Sequence, residues 1–141
     1  MLAHMRLPNG ARLVIEGHRF AGVTTNLERF HTWVACAVEL NPGYFARENK
    51  LTLWCPLDDC RPPRRGDMAR AHQAASFVAE QLQNGKHVLV TCAMGLNRSA
   101  LVAGLALRRL GFTGEQVVET IRHARGPMSL NNPAFLEQIL S

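Results

Sequence analysis

The chain has 141 residues, 47% of them apolar, enough to close a core as one domain without disulfide staples. Its net charge is +5, from sixteen Lys and Arg, fourteen of them Arg, against eleven Asp and Glu; this favours anionic ligands by steering and by contact. No apolar run approaches the roughly 20 residues of a membrane span, and the start, MLAHMRLPNGARL, lacks the apolar stretch of a signal peptide, so a soluble, cytoplasmic protein with no membrane partner is expected.

In chain order, Arg12–Glu16 reads as a first strand, stopped by Gly17. A short helix is expected over about Thr24 to His31, with Leu27 and Phe30 inward. Trp33–Leu40 is a strong strand candidate, ended by the turn Asn41-Pro42-Gly43. Leu51–Cys55 is another strand, closed by Pro56. Asp58–Gly66, DDCRPPRRG, is a charged, proline-rich loop. A helix follows from about Asp67 to Leu82, with Asp67 as its N-cap and Ala71, Ala74, Ala75, Val78, Ala79 and Leu82 as its apolar face. Asn84-Gly85 ends it. His87–Thr91 is a buried strand, and an apolar helix runs from Ala100 to about Leu110, with Gly111 as its stop. Thr113 to Gln116 fits a capping box for a helix over Glu115–Ala124, with Val117, Val118 and Ile121 inward. Gly126-Pro127 breaks it, and a last helix starts near Pro133, carrying Phe135, Leu136, Ile139 and Leu140. Strands alternating with helices, and helices taking over at the end, predict an α/β fold with a mostly parallel central sheet flanked by helices.

The chain is organised around KHVLVTCAMGLNRSALVAGL, Lys86–Leu105. Cys92 ends a strand, a short loop with Gly95 in its middle follows, and a helix begins beyond Ser99. Backbone N–H groups in such a loop can point inward as a nest, and the helix N-terminus adds unpaired donors. Arg98 can fork two N–H bonds onto phosphate oxygens. The same dipoles and Arg98 favour Cys92 as a thiolate. A thiolate facing a phosphate cradle is a nucleophile for phosphoryl transfer, and the Ser99 hydroxyl can stabilise it or assist it as a leaving group. The other cysteines form no disulfide framework and no zinc spacing. Cys36 and Cys55 are expected in the core; Cys60 lies on a loop near the site and is a candidate for a reversible disulfide with Cys92.

Cys92-Ala93-Met94-Gly95-Leu96-Asn97-Arg98-Ser99 resembles the C-x5-R-[S/T] phosphate loop of the cysteine-based phosphatases. With Gly three residues after Cys, it is most similar to the dual-specificity branch, in an atypical, minimal form, and the order of elements agrees with that family's fold. The resemblance implies that Ala93, Met94, Gly95, Leu96, Asn97 and Arg98 bind the substrate phosphate, with Cys92, Arg98 and Ser99 catalytic. It also implies an acid on a loop roughly thirty residues before the nucleophile, commonly three positions after a proline. Pro56-Leu57-Asp58-Asp59 puts Asp59 there, with Asp58 as the alternative. In Ser129–Phe135 an Asn three residues before an aromatic maps onto Asn132, which in the family braces the phosphate loop; an Asn there also suits a helix N-cap. The family usually has His before the nucleophile, where this chain has Thr91.

The expected reaction is hydrolysis of phosphotyrosine and of phosphoserine or phosphothreonine in protein substrates, through a phosphocysteine, with no metal or cofactor because Arg98 and the loop amides supply the positive charge. Two rivals stand beside it. The Gly95-x-Asn97-Arg98 pattern is also similar to RNA 5′-triphosphatases of the same fold, and Arg61, Arg64 and Arg65 could track an RNA backbone. A non-catalytic phosphoresidue-binding protein is the other.

Overall fold

The computed structural model describes residues 3–17, 29–39 and 51–141. Among the described residues five strands form one sheet: β1 (Ala3–Arg6), β2 (Arg12–Gly17), β3 (Thr32–Ala35), β4 (Leu51–Trp54) and β5 (His87–Cys92). Their spatial order is β1-β2-β5-β3-β4. β1 runs antiparallel to β2, and the other neighbours are parallel, so the mostly parallel sheet holds. The described helices are α1 (Asp67–Gln83), α2 (Arg98–Arg109), α3 (Gly114–Arg125) and α4 (Pro133–Leu140). None is long and apolar enough to cross a membrane.

Alternation along the strands sorts the core into two faces. Leu13, Ile15, Val34, Val88 and Val90 join the apolar faces of the helices in the larger cluster. Val14, Phe30, Trp33, Ala35 and Leu89 form a smaller one on the other face. β5 sits centrally and is paired on both edges, which is why its run is apolar on both sides. α2 follows it directly and is buried along almost its whole length.

Several local signals do what they spell. Thr113 and Gln116 close both bonds of the capping box on α3. Asn84 caps the end of α1, and Gly111 follows α2 with φ +102°. Cys36 and Cys55 are buried in the core as expected.

Other expectations need correction. β1 has no signature of its own in the sequence. It exists because Pro8, Asn9 and Gly10 turn the chain back onto β2, with the Leu7 N–H donating to the Ala11 carbonyl at 2.8 Å. The β3 strand ends at Ala35 rather than Leu40. Cys36 and Val38 still donate to the Thr91 and Leu57 carbonyls, but Val38 and Glu39 already form a turn. The N-cap position of α1 is Gly66, not Asp67. Asp67 is the first helical residue, and its carboxylate is turned to other partners. Leu140 faces solvent, whereas Phe135 and Ile139 are buried. Of the helix expected over Thr24–His31, residues 24–28 lie outside the described residues, as does the turn Asn41-Pro42-Gly43; Phe30 is buried.

All the parallel strands point their C-terminal ends the same way. Gly17, Glu39, the Asp58–Gly66 loop and Cys92 therefore gather at one rim of the sheet, where ligands of open α/β sheets bind.

Candidate active site

Cys92 is the last residue of β5 and is buried. Its Sγ lies 3.2 Å from the Ser99 Oγ and 3.2 Å from the backbone nitrogen of Gly95, which donates to it. The Gly95 N–H is a fixed donor to the sulfur, and the Ser99 hydroxyl beside it can either donate or accept.

The loop from Ala93 to Asn97 is held from outside. The Arg125 Nε donates to the Gly95 carbonyl at 3.0 Å, and its Nη2 donates to the Met94 carbonyl at 2.9 Å. The Leu130 N–H donates to the Leu96 carbonyl at 2.8 Å. Three successive carbonyls turned outward leave the opposing amide edges to face the loop's interior. Gly95 is required twice over. Its φ is +71°, and a Cβ there would come within 2.5 Å of the Gly17 nitrogen. β2 thus packs its end directly under the loop.

At the start of α2, Asn97 occupies the N-cap position but does not cap with its side chain. The first amides of the helix are left without a side-chain acceptor, as an anion site needs. The Asn97 amide is used elsewhere. Its Nδ2 donates to the Asp59 Oδ2 at 2.9 Å and to the Asn131 Oδ1 at 2.7 Å, and its Oδ1 accepts from the Asn132 N–H at 3.1 Å.

Arg98 is buried and rigidly held. Its Nη1 donates to the Glu39 Oε1 at 2.6 Å and to the Leu57 carbonyl at 3.1 Å, and its Nη2 donates to the Glu39 Oε2 at 2.9 Å. Burial works against the charged guanidinium, but the Glu39 bonds and then the Cys92 charge hold its pKa above the ordinary value. The end-on edge belongs to Glu39, which leaves the side-on pair, Nε–H and the second Nη2 hydrogen, for a phosphate. Glu39 aims the fork rather than consuming it.

The two aspartates of the loop after β4 are separated by the structure. Asp58 turns its Oδ1 back to its neighbour's backbone, accepting from the Asp59 N–H at 3.0 Å. Asp59 reaches the phosphate loop. Its Oδ2 accepts from Asn97, and its Oδ1 accepts from the Asn132 Nδ2 at 2.8 Å. Each oxygen keeps a second lone pair on which a proton can sit.

Asn132 is the N-cap of α4, and its side-chain amide also reaches the Asp58–Gly66 loop. Its Oδ1 caps α4, accepting from the Ala134 and Phe135 N–H groups, while its Nδ2 and N–H tie Asp59, the Cys60 carbonyl and Asn97 together. Thr91 faces the other side of the sheet from Cys92. Its hydroxyl accepts from the Trp33 Nε1 at 3.0 Å, so the residue before Cys92 serves the core.

Asp67 anchors the acid loop. Its Oδ2 accepts from the Asp58 N–H at 3.1 Å, and its Oδ1 accepts from the Arg64 Nε and Nη2 and from Arg70. Burial raises its pKa, but the Arg70 bond, the Asp58 N–H and Arg64 outweigh that, so the carboxyl sits below its ordinary value. A lowered carboxyl stabilises the fold fully above the ordinary 3.8, and the contribution is lost as pH falls below that value. Asp67→Asn should therefore cost about 2–3 kcal/mol at neutral pH, much less below pH 3. Urea unfolding of the two proteins across pH checks this.

The remaining cysteines differ from Cys92. Burial and then the hydrogen bond with Cys55 push the Cys36 thiol well up, leaving it inert. Cys60 is half-buried and forms no disulfide, and burial and then the neighbouring Asp58 push its thiol up. No group of three or more His, Cys, Asp or Glu among the described residues is arranged to hold a metal.

Nothing in the sequence marks Glu39, Arg125 or Asp67 as a site residue. Glu39 follows a strand and Arg125 ends a helix, and neither sits at a fixed spacing from Cys92 that chemistry demands. Only the resemblance in the Ser129–Phe135 segment pointed toward the Asn132 end of the network.

The end of β5, the loop from Cys92 to Asn97, the buried fork of Arg98 and the Asp59 carboxylate meet at one rim of the sheet. The family model described as dual specificity phosphatase, catalytic domain, matches residues 23–141, and the chain belongs to that family. Its fold is that of solved dual-specificity phosphatases. Human DUSP28 is 23% identical, with 98% of this chain and 89% of that chain covered at a TM-score of 0.77. DUSP15 is 20% identical, with 97% and 85% covered at 0.77. OH1 from the Orf virus, described as a tyrosine phosphatase with triple substrate specificity, is 17% identical, with 97% and 84% covered at 0.69. No curated protein sequence matches the chain.

Proposed function

We propose that the chain is a single catalytic domain that hydrolyses phosphotyrosine, and phosphoserine or phosphothreonine, in protein substrates through a phosphocysteine intermediate. The observation that carries this reading is the Cys92 sulfur, met at 3.2 Å by both the Ser99 hydroxyl and the Gly95 N–H at the mouth of an amide-lined loop.

The substrate phosphate sits over the loop, its equatorial oxygens on the inward amides, the first turn of α2 and the side-on fork of Arg98. Cys92 attacks phosphorus in line, and the P–O bond to the leaving group breaks. Asp59, protonated, gives its proton to the departing oxygen. The ionised Asp59 then takes a proton from water, whose oxygen attacks the phosphocysteine. The P–S bond breaks, phosphate leaves, and Ser99 donates to the returning thiolate. A reducing, cytoplasmic setting belongs to this reading, because the nucleophile must stay a free thiol.

Phosphate release from phosphotyrosine and phosphothreonine peptides and from 5′-triphosphate RNA, compared at matched salt, tests it. Turnover of the peptides is expected. Release from RNA alone favours the triphosphatase reading, and tight phosphopeptide binding without release favours a non-catalytic protein. One observation weighs against RNA: Arg64, one of the three loop arginines, is committed to Asp67 and the Pro56 carbonyl. Asp59→Ala should slow aryl and alkyl esters with poor leaving groups about 10²–10³-fold. It should slow p-nitrophenyl phosphate far less, because that leaving group needs little protonation. Steady-state kinetics over a leaving-group series reads the difference.

A further inference from the structure

At the opposite end of the sheet from Cys92, four nitrogen-bearing side chains stand in a row. Strand register sets Arg6 of β1 beside Arg12 of β2, and Arg12 beside His87 of β5. His31, the residue before β3, completes it: its backbone N–H donates to the His87 carbonyl at 2.9 Å. Side chains in register project to the same face, and neighbouring strands lie about 4.8 Å apart. The row lies on the face away from the four helices, at the edge of the smaller core cluster. The His31 and His87 rings meet edge-on at 5.2 Å between centroids. At about 3.3 Å per residue, β5 sets the row roughly 17 Å from the Cys92 end.

Hydrogen bonds fix how each group presents its protons. The His31 Nδ1 accepts from the His87 backbone N–H at 2.9 Å. The His87 Nδ1 accepts from the Arg12 Nε at 3.3 Å. A neutral imidazole whose Nδ1 accepts carries its hydrogen on Nε2. Both rings therefore offer an Nε2–H. Among the described residues no partner takes the terminal nitrogens of Arg12, and Arg6 is exposed with its guanidinium unpaired. The row offers donors and no free acceptor. Lys86, next to His87 in the chain, is exposed and adds charge. Among the described residues no carboxylate pairs with any of the four.

Such a row is unfavourable by itself. Like charges directly opposite in adjacent strands destabilise a sheet, and Arg6 and Arg12 are so placed. The cost also shows at His87: burial, then Arg12, His31 and Arg6, push its imidazole below the ordinary value, with no acid among the causes. An anion laid across the row would reverse the sign. We propose that Arg6, Arg12, His87 and His31 form a second binding site for a phosphate group, distinct from the loop at Cys92. The Arg6 and Arg12 guanidinium groups take its oxygens, while the His87 and His31 rings, whose Nδ1 atoms face Arg12 and the His87 backbone, flank the phosphate and sense its charge. The phosphate is either inorganic or carried as a monoester on a polypeptide.

Histidine-labelled protein, followed by NMR while inorganic phosphate replaces chloride at constant ionic strength, tests the site. A parallel titration uses a phosphoserine peptide. The source is the one that saturates at the lower concentration. The His31 and His87 ring signals should respond saturably, and the His87 titration midpoint should move up. Arg12→Gln should remove the response while phosphate still shifts the Gly95 amide; Arg6→Gln, on the exposed edge strand, should weaken it. Ring signals that respond to neither probe, that follow phosphate and chloride alike, or that respond unchanged in Arg12→Gln would overturn the proposal.

Discussion

Cys92→Ser is expected to lower phosphate release from any monoester by about 10⁴-fold or more, as loss of a covalent nucleophile does elsewhere. Binding of phosphate, vanadate or phosphopeptide should survive. The physical reason is that the serine hydroxyl is un-ionised at neutral pH and makes a weak nucleophile, while nothing that grips the phosphate is touched. The loop carbonyls remain tied to Arg125 and Leu130, and Arg98 remains held by Glu39. Turnover assays beside calorimetric titration with phosphopeptide separate the two effects. Loss of binding together with turnover would mean that the sulfur organises the loop rather than attacking phosphorus.

Arg98→Lys is expected to reduce kcat/KM by about 10²–10³-fold although the charge is kept. Lysine cannot present an end-on edge to Glu39 and a side-on edge to phosphate at once. Nor can it hold the Leu57 carbonyl in the same plane. Glu39, half of whose side chain is open to solvent, would then face the incoming dianion with a weaker counter-charge. Glu39→Gln separates the parts: it removes that negative charge, keeps one hydrogen bond, and should be milder than Arg98→Lys. Steady-state kinetics of the three proteins on one phosphotyrosine peptide decide the order. Equal losses would mean that Arg98 acts only as a point charge.

The two families of structural fact differ in how they are written. Cys92, Gly95, Arg98 and Ser99 are spaced within eight residues, so strand end, tight loop and helix start fix their geometry locally. The capping box at Thr113 and the stop at Gly111 are legible for the same reason. β1 was not, because four residues of strand exist only by pairing with β2. Asp67 looked like a cap by type and position. The structure spends its carboxylate on Asp58, Arg64 and Arg70, a choice visible only once the loop is folded over the helix start.

By itself the sequence determined the α/β order and the strand–loop–helix passage from Cys92 to Ser99, and it pointed to the Asp58-Asp59 pair that the proposed reaction uses. Each rests on neighbours in the chain, or on a spacing carried over by family resemblance. Only the tertiary structure decided that Asp59 rather than Asp58 reaches the loop, that Asn97 and Asn132 hold it, that Arg125 turns the loop's carbonyls outward, and that Glu39 aims Arg98. These partners lie thirty or more residues apart. A polar contact across such a distance leaves no periodic trace in the chain, because it is set by how strand ends converge at one rim of the sheet.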